Sequence, residues 1–385
     1  MRYPHPPSSG EKITIYNYLK ALSGLGYLID LIAISDEKQI SADQEQLKRE
    51  ITGLNNIHII KIPRLTGFLS ALLSGLHFKP LQVGYFSNYY TRKKVSEIIR
   101  EQQYDKILIH TVRLTGLLPI DPDKTIILFS DSISRNYHLS RSYLSFPIRE
   151  IQILESHLLK KYEKEISGKS LTSIFHNQLD IDFLEIFHKR IKIIPVSKEV
   201  IPQFIPITPE TKKRILLIGQ YSYYPNRDAL KFLQENMKLI EKKKIPIDII
   251  GTGISRSQKR NLCRSEYIRY LGYADSLEKE ILNSYGVVCP IRFGAGMQNK
   301  ILDAIVNGRP SISTTFSKEP YKIEMKKQNI KADCLLATSN NNDFFNYIEN
   351  LLDDREYANS IAEETFKTAG VFDISNISKT LSEIL

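Results

Sequence analysis

Short apolar runs alternate with helix-length amphipathic stretches along most of the chain. Tyr27 to Ile34, Ile57 to Ile62, Lys106 to His110 and Thr125 to Phe129 read as buried strands separated by segments of helical length. This alternation predicts βαβ units around a parallel sheet. The rhythm restarts with strands expected at Arg214 to Ile218, Ile247 to Ile250, Tyr267 to Tyr270, Val287 to Pro290 and Ser311 to Ser313, and a helical ending over Asn340 to Leu385. Between the two series, Ile201 to Pro209 carries Pro202, Pro206 and Pro209 ahead of the charged Glu210 to Arg214, the composition of a linker. The expected fold class is α/β, with two doubly wound Rossmann-like domains facing across a cleft. The domains are residues 1–203 and 204–370, and 371–385 form a helix that packs back on the first.

One element is missing from this pattern. A doubly wound domain opens with a strand, whereas this chain opens with a turn-rich segment of Pro and Gly. Either the strand lies upstream of the given start or the sheet is built without it.

Composition narrows the class. At 385 residues, with 42% hydrophobic and 25% charged residues, the chain has neither the profile of a disordered protein nor that of a fibrous one. A formal net charge of +10 favours anionic partners. Basic residues are scattered, as in Arg92-Lys93-Lys94 and Lys242-Lys243-Lys244, and read as solvated helix faces or as a dedicated patch; no arm or stripe marks a nucleic-acid footprint. Cys263, Cys289 and Cys334 are odd in number and lack C-x-x-C spacing, so neither a disulfide framework nor a zinc site is expected, and a reducing cytoplasm fits. No signal-peptide core follows Met1, and no uncharged apolar run is long enough to span a bilayer, so membrane contact is expected to be peripheral. From Leu65 to Tyr85, Leu69, Leu72, Leu73, Leu76 and Phe78 share a helical face beside Arg64, His77 and Lys79. That pattern suits an interfacial helix and a core-facing one equally, and base rates for amphipathic helices favour the core-facing reading.

The densest chemistry lies between Val288 and Ile305, which reads strand, glycine loop, helix. Gly294 and Gly296 permit tight turns and close approach of a ligand. A helix starting near Met297 and Gln298 points unpaired N–H groups outward, a natural seat for an anion. Arg292 and Lys300 can add positive charge at the same point, as a departing diphosphate requires. Asp303, one turn on, can accept hydrogen bonds from vicinal hydroxyls. The bland alternative is an ordinary βα turn with a surface Lys and Asp.

Arg292 to Thr315, with its G-x-G-x-x-x-K-x-x-(acid)-A pattern and the following Asn307-Gly308-Arg309-Pro310, resembles the donor-site motif of family 4 glycosyltransferases of GT-B fold. Arg2 to Lys12 resembles the amino-terminal loop of a bacterial polysaccharide-biosynthesis branch of that family, which implies donor-phosphate contact by Gly10 and Lys12. Leu217 to Ala229 is similar to the first loop of that branch's second domain, which implicates Gly219 and Asn226. Ile249 to Gly253 and Tyr270 to Tyr273 occupy the places of strand-end turns near the nucleotide, which implicates Gly272 and Tyr273. Ala295 stands where many members carry a glutamate, Asp303 replaces the commoner glutamate, and Gln220 replaces a basic residue, so Arg292 and Lys300 must supply most of the phosphate charge.

The resemblance implies a donor-binding second domain and an acceptor-side first domain. It implies transfer with retention, without a metal and without a cofactor, since the nucleotide-sugar is a substrate. The acceptor is expected to be a glycan or lipid-linked molecule of surface polysaccharide synthesis, handled in the cytoplasm or at the inner face of the cell membrane, with peripheral contact to anionic lipid. In the first domain, His110 and Asp131 end expected strands. His110 can orient sugar hydroxyls or handle a proton, or be a structural strand-end histidine; His5 is a further candidate. Glu155 and Glu163, on one helical face beside Lys160 and Lys161, read as structural ion pairs.

Two rivals share the fold, a nucleotide-sugar epimerase and a non-catalytic partner of another transferase. A nicotinamide enzyme is disfavoured because no G-x-G-x-x-G follows the first strand of either half with an acid some 20 residues on. A nucleic-acid binder is disfavoured because Tyr221-Ser222-Tyr223-Tyr224 reads as a packed turn.

Overall fold

A computed structural model describes residues 3–7, 9–34 and 41–385, with side chains from residue 44 onward in the last stretch. Arg2 and Ser8 of the amino-terminal loop lie outside the described residues. The chain divides into two compact units, Met1–Pro195 with Ile374–Leu385, and Val196–Asp373. The proline-rich stretch Ile201 to Pro209 belongs to the second unit and is anchored there. Ile207 is buried, and Asn359 accepts its N–H at 2.7 Å and donates to its carbonyl at 2.9 Å.

The second unit is one six-stranded parallel sheet. Its strands are β7 (Ile215–Gln220), β8 (Ile247–Thr252), β9 (Ile268–Gly272), β10 (Gly286–Cys289), β11 (Ser311–Ser313) and β12 (Leu335–Ala337), in the order β12-β11-β10-β7-β8-β9. Leu216 and Leu217 of β7 pair with Val287 and Val288 on one side and Asp248 and Ile249 on the other. Strands buried on both faces explain why the sequence shows continuous apolar runs rather than alternation.

The first unit has β1 (Ile29–Ile34), β2 (Leu54–Ile60), β3 (Ile107–His110), β4 (Thr125–Ser130), β5 (Thr172–Phe175) and β6 (Ile191–Ile193), all parallel to their neighbours. They do not form a single sheet. β1 and β2 pair with each other, β3 to β6 form a second sheet, and among the described residues one edge each of β1 and β3 stays unpaired. The Ser375–Ile384 helix packs Ile377 and Leu381 against Tyr18 and Ala21 of the Gly10–Gly24 helix, beneath Ile126 and Leu128 of β4.

The amphipathic stretch is resolved against the core. In the Arg64–Leu76 helix, Leu65, Phe68, Leu69, Leu72, Leu73 and Leu76 are 53 to 75% exposed and Phe78 is 83% exposed. The opposite face is the packed one, where Gly67 lies so close to the Tyr85 ring that a Cβ would meet it at 2.7 Å. Amphipathic spacing identifies two faces and does not say which one is buried.

The acidic pair on the Ile148–Ser167 helix is also not what spacing suggested. Glu155 and Glu163 are buried and serve as remote caps rather than ion pairs, while Lys160 pairs with Glu185. Glu155 accepts the N–H groups of Leu81 and Gln82 at 2.8 and 3.0 Å, at the start of the Leu81–Phe86 helix. Glu163 accepts from the Ser132 and Ser134 hydroxyls at 2.8 and 2.5 Å and from the Ile133 N–H at 2.9 Å, at the start of the Ile133–Ser140 helix. Burial pushes the Glu163 carboxyl up to about 7, against the pull of those donors. Glu163→Ala removes the acceptor shared by these buried donors, and we expect a loss of about 3 kcal/mol in urea unfolding.

Candidate active site

In the second unit the strand order reverses between β7 and β10, so the loops leaving these neighbours diverge at their carboxyl ends. This is where doubly wound sheets bind ligands. After β10, Gly294 and Gly296 take φ of +122° and +79°, conformations that L side chains rarely adopt, and bring the chain to the Asn299–Val306 helix. No side chain caps that helix start, which leaves its first N–H groups facing the loop. After β7, Asn226 lies in the first turn of the Tyr224–Glu235 helix, so close to Gly219 that a Cβ there would meet its side chain at 3.0 Å.

Lys300 joins the two loops. Its Nζ donates to Asn226 Oδ1 at 2.8 Å, and Asn226 Nδ2 donates to the Gln220 carbonyl at 2.9 Å. Lys300 is buried, and burial lowers its pKa below the usual lysine value. An ammonium has three protons to donate, and the other two find no acceptor among the described residues. Beside it, Asn299 Oδ1 is buried without a partner. The result is a concealed cation with spare donor capacity at an open helix start.

The other charged candidates are already engaged. Arg292 forms a bidentate pair with Asp228 at 2.6 and 2.8 Å and reaches Glu235 at 3.0 Å, so two carboxylates offset its charge. This differs from the expectation that Arg292 shares the phosphate charge with Lys300. Spacing places the arginine beside the loop but does not reveal the acids on the neighbouring helix. Asp303 is paired with Lys198, a partner the sequence reading did not single out. Met297 is buried in the core, and the Gln298 carbonyl accepts from the Tyr321 hydroxyl at 2.9 Å. Arg309 is fully buried and donates to the carbonyls of Leu282, Ser284, Ile205 and Gly308, so this part of the motif fastens the turn before β11.

The profile of the family Glycosyl transferases group 1 matches residues 212–354. The second unit carries the match to this family, and the chain as a whole shares the GT-B fold of solved glycosyltransferases. Two solved structures share its fold over nearly the whole chain. WaaG, a glycosyltransferase involved in lipopolysaccharide biosynthesis, is 12% identical with a TM-score of 0.63, covering 98% of this chain and 96% of its own. HepE of Anabaena, in complex with UDP and glucose, is 11% identical with a TM-score of 0.63, covering 98% and 95%. No curated protein matches the sequence.

The first unit has its own polar cluster at the carboxyl ends of β3, β4 and β5. His110 Nε2 and Ser130 Oγ lie 3.1 Å apart, and His110 Nδ1 is buried without a partner. His176, which the sequence reading missed although it directly follows β5, holds the Ile194 carbonyl through Nδ1 at 2.8 Å and leaves Nε2 unpartnered. Asp131 Oδ1 is likewise unpartnered, and burial raises the Asp131 pKa, with Arg135 opposing. Thr111 and Ser130 take φ of +67° and +62°, left-handed conformations that cost energy for residues with a Cβ. Unmet polar atoms and strained backbone at strand ends mark this edge of the first unit as a second polar site.

The remaining candidates are dispersed. Gly10 opens the Gly10–Gly24 helix rather than sitting in a loop, and Lys12 is buried on that helix. Gly272 ends the outer strand β9, and Tyr273 beyond it is 71% exposed.

Burial, with His176 and Arg113 adding repulsion, pushes His110 down to about 3, so it is neutral when folded. Between that value and the usual histidine pKa of about 6.5, the unfolded chain binds a proton that the folded chain does not. Stability from this group is therefore present at neutral pH and lost as pH falls through that window. We expect His110→Gln to lose less stability than the parent between pH 6.5 and 4, as measured by urea unfolding at each pH.

Proposed function

We propose that this glycosyltransferase moves a sugar from a nucleotide-sugar donor to a glycan or lipid-linked acceptor in bacterial surface polysaccharide synthesis. The observation that carries the reading is Lys300, a buried ammonium with two unused protons at an uncapped helix start. A diphosphate is the ligand such a site is suited to hold. It supplies oxygen acceptors for the ammonium and for the helix N–H groups, and negative charge that offsets the desolvation of Lys300. As the glycosidic bond to the donor breaks, charge grows on the departing diphosphate, and donors fixed in advance stabilise it most at that moment. In this reading Lys300 and the helix start meet the diphosphate without a metal, and Asn226 and Gly219 position Lys300. Asp303, held by Lys198, accepts from the nucleoside. Arg292 keeps the Tyr224–Glu235 helix in register through Asp228. HepE, solved with UDP-glucose, and WaaG, in lipopolysaccharide biosynthesis, support the donor class and the pathway class. The resemblance to family 4 enzymes supports transfer with retention.

His110, Asp131 and His176 are proposed to receive sugar hydroxyls in the first unit, which suits neutral histidines with open ring nitrogens.

Titration with uridine, guanosine, thymidine and adenosine diphosphates tests the donor site. We expect one of them to raise the melting temperature, and Lys300→Ala to weaken its binding by about tenfold or more, the worth of a charge-assisted hydrogen bond. Equal affinity in parent and variant removes the assignment.

We also propose peripheral membrane contact through the Arg64–Leu76 helix. Its exposed leucines and Phe68 form an apolar face, Arg64 and Lys79 stand at its ends, and no helix among the described residues is long and apolar enough to cross a membrane. Leu69→Asp with Leu72→Asp, at exposed positions, should leave the melting temperature unchanged and cut binding to phosphatidylglycerol vesicles about tenfold in co-sedimentation.

A further inference from the structure

Arg113 belongs to neither of the first-unit features described so far and adjoins both. The left-handed turn at Thr111 carries the chain from His110, at the end of β3, into the short Val112–Leu114 helix, where Arg113 is half-buried. Its Nε donates to Gln82 Oε1 at 2.6 Å, the Gln82 amide donates in turn to the Tyr137 hydroxyl at 2.6 Å, and the guanidinium reaches the same hydroxyl. All of these partners are neutral. Burial raises the Tyr137 pKa and keeps its hydroxyl protonated, and His110, which feels the Arg113 charge, is neutral as well. Among the described residues no carboxylate pairs with Arg113. Glu155, whose charge also reaches Tyr137, is turned to the Leu81 and Gln82 N–H groups, and Asp180 takes Arg135 instead. A guanidinium partly withdrawn from water and bordered by neutral groups keeps its charge and most of its donors for an anion.

The surroundings select the anion. Through His110, Arg113 adjoins the strand ends whose unpartnered His110 Nδ1, His176 Nε2 and Asp131 Oδ1 suit sugar hydroxyls. Through Gln82 it is bonded to the Leu81–Phe86 helix, which packs on the Arg64–Leu76 helix with its exposed apolar face. A Cβ at Gly75 would meet the Leu81 side chain at 2.7 Å, and the Phe68 and Tyr85 rings lie edge to face at 5.6 Å. A phosphate ester is the anion that joins a sugar to a hydrocarbon carrier, and the planar fork of an arginine matches its oxygens. We propose that Arg113 holds a phosphate group of the acceptor, which makes the acceptor a phosphate-linked saccharide and not a neutral glycan. The proposal rests on the transfer reading above, with the acceptor on the first unit.

Calorimetry on the full chain carrying Lys300→Ala, which removes the donor-site cation, tests this with farnesyl diphosphate, inorganic pyrophosphate and glucuronate. We expect both phosphate probes to bind and a further Arg113→Gln to weaken both by about tenfold or more, the worth of a charge-assisted hydrogen bond. Arg113→Lys, which keeps the charge, is expected to recover part of that loss, a rescue that a merely structural arginine would not give. Tighter binding of farnesyl diphosphate than of pyrophosphate assigns the phosphate to a lipid carrier, and equal affinities assign it to a soluble one. Undiminished phosphate binding in Arg113→Gln, no binding of either phosphate probe, or Arg113-dependent binding of glucuronate alone overturns the proposal. Nucleoside diphosphate titration of the chain with Lys300 intact separates the two readings: Lys300-dependent binding there, beside phosphate probes indifferent to Arg113, leaves the donor site standing and removes only this one.

Discussion

The hydrogen bond from Lys300 to Asn226 ties together the loops that leave β7 and β10, and it fixes the chemistry of the second unit. Removing an ammonium from water costs several kcal/mol unless its protons are bonded, and here one amide oxygen offsets only part of that cost. The remainder is held as unused capacity. Around it the other charges are balanced locally: Arg292 by Asp228 and Glu235, and Asp303 by Lys198. A site arranged this way rewards a ligand that brings negative charge and lone pairs to one point. It gives little to a neutral ligand, which would leave the ammonium as poorly solvated as before.

Carboxylates play the complementary part in the first unit. Glu155, Glu163 and Asp180 each accept backbone N–H groups from helix starts or turns far away in sequence, and Asp180 also takes Arg135 at 3.0 Å. Such caps lock loops to the Ile148–Ser167 and Gln178–Leu184 helices, next to the strand ends of β3 and β4 with their strained conformations. The strain at Thr111 and Ser130 persists because buried networks on several sides over-determine it.

How much of this was legible depends on whether the cause is local. The strands were legible, because burial on both faces of a parallel sheet writes continuous apolar runs into the sequence, and β7, β8 and β10 fall within a residue or two of the expected runs. Gly294, Gly296, Lys300 and the helix after them were legible for the same reason, since all lie within one turn and its helix. Partners were not. Asp228 lies 64 residues from Arg292 and Leu81 lies 74 from Glu155, so an eight-residue spacing on a helix could suggest an ion pair and conceal a cap. His176 escaped because the short strand before it, with the small Thr172 and Ser173, lacks a strong apolar run. The Leu65 face was recognised as apolar, but only neighbours such as Tyr85 decide which way a helix turns.

The first unit leaves two demands of opposite kind unmet, and hydrogen bonding distinguishes them. On the Arg64–Leu76 helix every interior N–H and C=O is bonded within the helix, so its exposed leucines ask only for removal from water, and a fluid hydrocarbon phase satisfies them without directional bonds. Arg113, among neutral partners, asks for charge and directed lone pairs, which hydrocarbon cannot supply and a phosphate can. An amphiphile with a phosphate head answers both demands at once, and neither demand alone would select it.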